Sequence, residues 1–206
     1  MKKDIHTHEH LLNVGFEMFL EDGSRNITVR KLAQRANVNS GVFSYHFGSR
    51  ENYLTELLER WYAPMFNSLQ MTMGSNLPPL EGLRAIILEV LDYVAKYGKL
   101  IAHLFLDAKS GEQAARKFAN NVPLRHPRVI LQAIKRAQDA GCIIQEDPVR
   151  LLLYLVSVTE APMIMQHMIH GATDLSPAMM QDVRVILDDP TSAAQRLDWA
   201  LKGITV

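Results

Sequence analysis

Between Ser24 and Arg50 the chain carries Arg25, Arg30, Lys31, Arg35 and Arg50 and no acidic residue. The whole protein is balanced, with 22 Lys and Arg against 22 Asp and Glu, so this stretch is a local positive island in a neutral molecule. Cationic side chains gathered in this way suit contact with phosphates, where each neutralised charge releases counterions. Five charges alone fit a solvated basic face as well. The residues between them tip the balance. Ser40, Gly41, Ser44, Tyr45 and His46 are poor choices for a merely solvated helix, but they suit a surface that approaches a backbone closely and donates hydrogen bonds to it.

Such side chains need rigid elements behind them. Val29, Leu32, Ala33 and Ala36 stand at i, i+3, i+4 and i+7, the spacing of one buried helical face. Thr28 precedes that face as an N-cap, and Asn37 ends it, because Asn tolerates the positive φ a tight turn needs. Val38 plugs the corner. Asn39 caps a second helix, Ser40 to His46, and Ser49 caps a third with Arg50 and Glu51 in its first turn. Two short helices joined in this way form a helix-turn-helix, whose second helix enters the DNA major groove. A first helix, Ile5 to Asp22, puts Leu11, Leu12, Gly15, Phe16 and Phe19 on one stripe to cover the pair, and Gly23 stops it. His6, His8 and His10 invite a metal reading, but no carboxylate or thiolate stands at ligand spacing, so exposed histidines near phosphates are expected instead.

The segment resembles the N-terminal domain of the tetracycline-repressor (TetR) family of bacterial regulators. The residues that carry the resemblance are Phe19, Gly23, Thr28, Val29, Leu32, Ala33, Ala36, Val38, Gly41, Tyr45, His46, Phe47, Arg50 and Glu51, and it extends over about residues 5–60. Asn37 stands where the family usually has Gly, Ser44 where a tyrosine is frequent, and Val42 where Thr or Asn is common. The resemblance implies a short DNA reader, residues 1–48, followed by a larger helical domain, 49–206, that binds a small molecule and forms a homodimer through its last two major helices.

The rest of the chain reads as helix throughout, so an all-α fold is expected. From Ser49 a long helix runs towards Leu69 through Tyr53, Leu54, Leu57, Leu58 and Trp61, and Pro64 should kink it or end its first section. The Gly74–Pro79 loop follows. Further helices are expected near 80–97, 99–109, 111–120, 127–140, 148–170, 177–187 and 190–203, punctuated by Gly98, Gly111, Pro123, Pro127, Gly141, Gly171 and Pro190.

These elements set the expected sites. Thr28, Arg30, Asn39, Ser40, Gly41, Val42, Ser44, Tyr45, His46 and Arg50 are the candidate DNA contacts. Tyr45, Thr28 and Arg50 would hold phosphates, and Val42 would touch a thymine methyl. Segments 148–170 and 190–203 are apolar on more than one side and are expected to pair two copies. Two readers about 34–36 Å apart would then meet successive major grooves of a palindromic operator in double-stranded DNA. Trp61, Phe66, Tyr93, Tyr97, His103, Phe105, Phe118, Met163 and His167 are the candidates to line a pocket for a small, mostly apolar effector.

Other classes fare worse. The chain has no Glu-x-x-His or His-Glu-x-x-His pattern for a metalloenzyme, no Gly-rich phosphate loop and no nucleophile motif, so no catalytic residue, metal or cofactor is expected. A single cysteine excludes an internal disulfide framework. Lys2, Lys3 and Asp4 precede no apolar h-region, and the apolar run from Leu151 is interrupted by Glu160, so a cytoplasmic protein without a membrane span is expected. The remaining rival is a ligand-binding or protein-interaction module that no longer binds DNA.

Overall fold

The computed structural model describes residues 2–169 and 177–206, and these form eleven helices with no strand. In chain order they are α1 (Lys2–Asp22), α2 (Val29–Arg35), α3 (Ser40–Phe47), α4 (Arg50–Met73), α5 (Pro79–Lys109), α6 (Gln113–Asn121), α7 (His126–Asp139), α8 (Pro148–Val158), α9 (Glu160–Ile169), α10 (Pro177–Asp188) and α11 (Pro190–Ile204). Short 3₁₀ turns lie at Ser24–Asn26 and Val122–Leu124. The fold is all-α, as the periodicity predicts. No single described helix is long and apolar enough to cross a membrane.

The chain packs as two compact units, one of residues 1–63 with 103–121 and one of residues 64–102 with 122–206. In the first, α1 lies over α2 and its stripe is buried, with Leu11, Leu12 and Phe19 almost inaccessible. Gly15 lets α4 come close. Tyr53 is fully buried, donates to the Leu11 carbonyl at 2.8 Å, and occupies the space a Cβ on Gly15 would need. Phe43, Phe47 and Tyr53 cluster beneath α3, with centroids 4.8–5.4 Å apart. Of the two outcomes expected at Pro64, the helix does not end there: α4 runs through it to Met73, past Leu69 as expected. Leu54, Leu57 and Leu58 are buried before the proline and Met65 and Leu69 after it, which favours one continuous helix.

In the second unit, the expected break near Gly98 appears as one non-helical residue, Tyr97, inside α5. The single helix expected over 148–170 is instead two, bent by 51° at Thr159; residue 170 lies outside the described residues. The cause is Pro162, which has no N–H to give the Val158 carbonyl four residues back. Arg196 of α11 supplies the missing donor, its Nε bonding the Val158 carbonyl at 3.0 Å. The C-terminal segment is tied to residues 142–144: Ile144 donates to the Ile204 carbonyl, and Val206 donates to that of Cys142.

Candidate nucleic-acid interface

The local chemistry of residues 28–49 builds the reader as the spacing predicts. The Thr28 hydroxyl accepts from the Lys31 N–H at 3.2 Å and opens α2. Asn37 adopts φ 53, the left-handed conformation that turns the chain after α2, and the Val38 N–H returns to the Ala33 carbonyl. Asn39 accepts from the Val42 N–H at 3.0 Å and starts α3, and Ser49 accepts from Asn52 at 3.1 Å to start α4. Gly48, at φ 68, ends α3, a positive-φ position the sequence reading did not single out.

This frame presents one polar face. Thr28, Arg30, Lys31, Asn39, Ser40, Gly41 and Ser44 are exposed, and Tyr45 is 74% exposed. Val42 and His46 are half-buried at its edge. Tyr45 packs edge-on against His46, with ring centroids 5.1 Å apart, which orients the phenol along the surface.

Two cations of the island are held by carboxylates. Arg35 forms a two-pronged ion pair with Glu21 of α1 and approaches Glu17 at 3.5 Å, and the Glu21 hydrogen bonds raise its pKa further. Arg50, expected on phosphate, is turned inward. Its Nε donates to the Ile27 carbonyl at 2.6 Å, Nη2 to the Ser24 carbonyl at 2.7 Å and Nη1 to Glu112 at 2.9 Å. Here it holds the turn before α2, and the sequence gives no sign of this because Glu112 is remote in the chain. Of the N-terminal histidines, His6 and His10 are exposed as expected, while His8 is half-buried. His10 bonds the Ala36 carbonyl at 3.0 Å, and His8 stacks on Phe47 at 4.7 Å and pairs with Glu56 at 3.1 Å. These two join α1 to the reader's other helices.

The candidate effector residues divide between the units. In the first, Trp61 and Phe118 are buried with centroids 6.1 Å apart and Tyr62 beside them, an ordinary aromatic core. His103 packs against Gly23, and Phe105 is 46% exposed. In the second, Tyr93 and Tyr97 pack at a tilt of 57° with centroids at 4.7 Å. Met163 and His167 alone among the candidates line a cavity of about 140 Å³, bounded also by Leu91, Asp92, Gln166, Leu187 and Ala193. Gly98 matters here, since a Cβ on it would stand 2.8 Å from the His167 ring. Asp92 and Gln166 were missed because α5, α9, α10 and α11 meet only in the folded unit.

An exposed, polar α3 held by two capped turns on a buried α1–α4 scaffold defines a helix-turn-helix protein of the all-α class. Residues 11–57 match the profile of bacterial regulatory proteins of the tetR family. A helix-turn-helix transcriptional repressor of Mycobacterium tuberculosis, KstR2, is 35% identical over 78 residues, spanning 38% of this chain and 39% of the relative. The chain thus matches about two fifths of that relative's length. The repressor NicS of Pseudomonas putida is 22% identical over 204 residues, 96% of this chain and 92% of NicS. Among solved structures, a TetR transcription regulator from Haloarcula marismortui superposes with TM-score 0.72 at 13% identity, over 98% of this chain and 99% of that one. A transcriptional regulator from Saccharomonospora viridis, solved in complex with choline, does so with TM-score 0.72 at 14% identity, over 98% of each chain. At these identities the structures speak for the fold. Residues 11–57 thus carry the helix-turn-helix segment of the tetR family of bacterial regulatory proteins.

Proposed function

We propose that this protein is a ligand-responsive DNA-binding transcriptional regulator, a cytoplasmic repressor that reads a palindromic operator as a homodimer and is released by a small, mostly apolar effector. The observation that carries this reading is the exposed face of α2 and α3, where Thr28, Arg30, Asn39, Ser40, Gly41, Ser44 and Tyr45 stand on capped, well-packed helices. Tyr45 and Thr28 hold phosphates. Ser40, Gly41, Val42, Ser44 and His46 lie along the base edges. Arg50 keeps the inward role described above.

Residues 1–48 serve as reader and 49–206 as the ligand-binding and dimerisation part. Val149, Leu153 and Trp199 on α8 and α11 are exposed apolar side chains that a second copy would cover. The cavity at Met163 and His167 supports the effector site, with an apolar wall and the polar ends of Asp92 and Gln166. An effector that prefers a spacing of the two readers unsuited to DNA lowers operator affinity by the factor of that preference.

The reading is tested by binding to duplex DNA at rising salt. Log K should fall linearly with log salt, by about 0.9 for each phosphate neutralised. A flat response would leave the positive island a mere surface and favour the module without DNA binding.

A further inference from the structure

Ser24 is 83 positions from Asp107 in the chain, yet both are buried and joined by two hydrogen bonds. The Asp107 carboxylate accepts from the Ser24 N–H at 2.7 Å and from the Ser24 hydroxyl at 2.5 Å. Next to it Gly23, at φ 79, lies so close that a Cβ would stand 3.1 Å from the same Asp107 oxygen and 3.3 Å from His103 Nδ1. A few residues on, Glu112 accepts from Arg50, whose other two donors hold the Ser24 and Ile27 carbonyls. Lys117 of α6 pairs with Glu51 in the first turn of α4.

Apart from the Lys117–Glu51 pair, which ties α6 to α4, these bonds converge directly or through Arg50 on residues 23–28, the connector that ends in the Thr28 cap of α2. The connector sets where α2 begins, and α2 with its Asn37 turn sets where α3 points. Two carboxylates that lie on neither reader helix therefore fix the reader's origin. Bonds to a buried carboxylate are among the stronger ones, because any donor left without it stays buried and unmet.

We propose that Asp107 and Glu112 are positioning residues for DNA reading: through Ser24 and Arg50 they hold the 23–28 connector, and with it α2 and α3, in the pose that matches the major groove. This rests on the DNA-reading function proposed above. Neither carboxylate stands on the exposed reader face, so removing it changes the pose and not the number of phosphates contacted.

The test uses the full chain, an operator duplex selected with the wild-type protein, and the variants Asp107→Asn, Glu112→Gln, Ser24→Ala and the Ser24→Ala, Asp107→Asn pair. Binding is measured by fluorescence anisotropy at a temperature where melting curves show each variant folded. Asp107→Asn should weaken operator binding about tenfold, with the salt slope unchanged and weak binding to random duplex unaltered. Glu112→Gln should move affinity the same way. The double variant should lose less than the sum of its singles, since both touch one bond pair. Wild-type operator affinity in the folded variants would overturn the proposal, because a merely structural role lowers melting temperature alone. If Asp107→Asn fails to fold, Glu112→Gln and Ser24→Ala decide by the same criterion. Wild-type protein that selects no duplex would overturn the DNA-reading function and this inference with it, whereas wild-type binding matched by every variant overturns the inference alone.

Discussion

Tyr45 presents its phenol to solvent from the middle of α3, with His46 edge-on beside it. Because nothing in the core depends on that hydroxyl, Tyr45→Phe should leave stability unchanged and weaken every operator alike, by about fivefold for one lost hydrogen bond. A panel of duplexes measured side by side checks this, and a change in the ranking of sequences would contradict the phosphate role. At this scale the chain is legible wherever the chemistry is local. The Thr28 and Asn39 caps and the positive φ of Asn37 follow from a few neighbouring atoms, and all three stand as the spacing predicts. Arg35 and Arg50 were not legible, because their partners Glu21 and Glu112 come near only through tertiary packing. Arg50, expected on phosphate, is an internal tie, and Arg35 is held at the surface by carboxylates of α1.

Helices are legible from period and punctuation, and their interruptions follow from identifiable atoms. The break between α8 and α9 needed attention to Pro162 in an apolar run, and to Arg196, which no local pattern links to it. Glu160 begins α9 there, buried, and burial pushes its carboxyl up to about 7 from an ordinary 4.5. The sign follows directly. Below pH 4.5 folded and unfolded chains both hold the proton and the shift costs nothing. As pH rises from 4.5 through 7 the unfolded chain ionises first, so stability is lost progressively, by a few kcal/mol in all, and the loss is complete above about pH 7. Glu160→Gln should therefore raise the melting temperature at pH 8 and leave it unchanged near pH 4.5; equal effects at both would contradict the burial argument. Packing of α1 on α4 makes a second prediction. Gly15→Ala sets a methyl group where the buried Tyr53 hydroxyl lies, and should cost about 1–3 kcal/mol in urea unfolding. An unchanged midpoint would mean that α4 can shift at no cost.

For the whole molecule, neutral net charge and a positive reader segment divide the labour: the overall charge gives no general attraction to nucleic acid, so affinity for DNA must come from the one positive segment. The all-α class was legible from periodicity alone, and residues 11–57 carry a pattern specific enough to match the tetR-family profile. The cavity in the second unit was not. The nine effector candidates were chosen for residue type, and the two compact units separate them, with that cavity using only Met163 and His167 of the set. Cavities depend on how helices converge, which side-chain type does not encode. The most direct measurement is selection of binding sites by the purified protein from a random duplex pool. Recovery of a palindrome with half-sites about one helical turn apart or a multiple of it is the predicted result, since the proposed homodimer would place two copies of α3 in major grooves on one face of the duplex. A folded, dimeric protein that enriches no sequence would contradict the account.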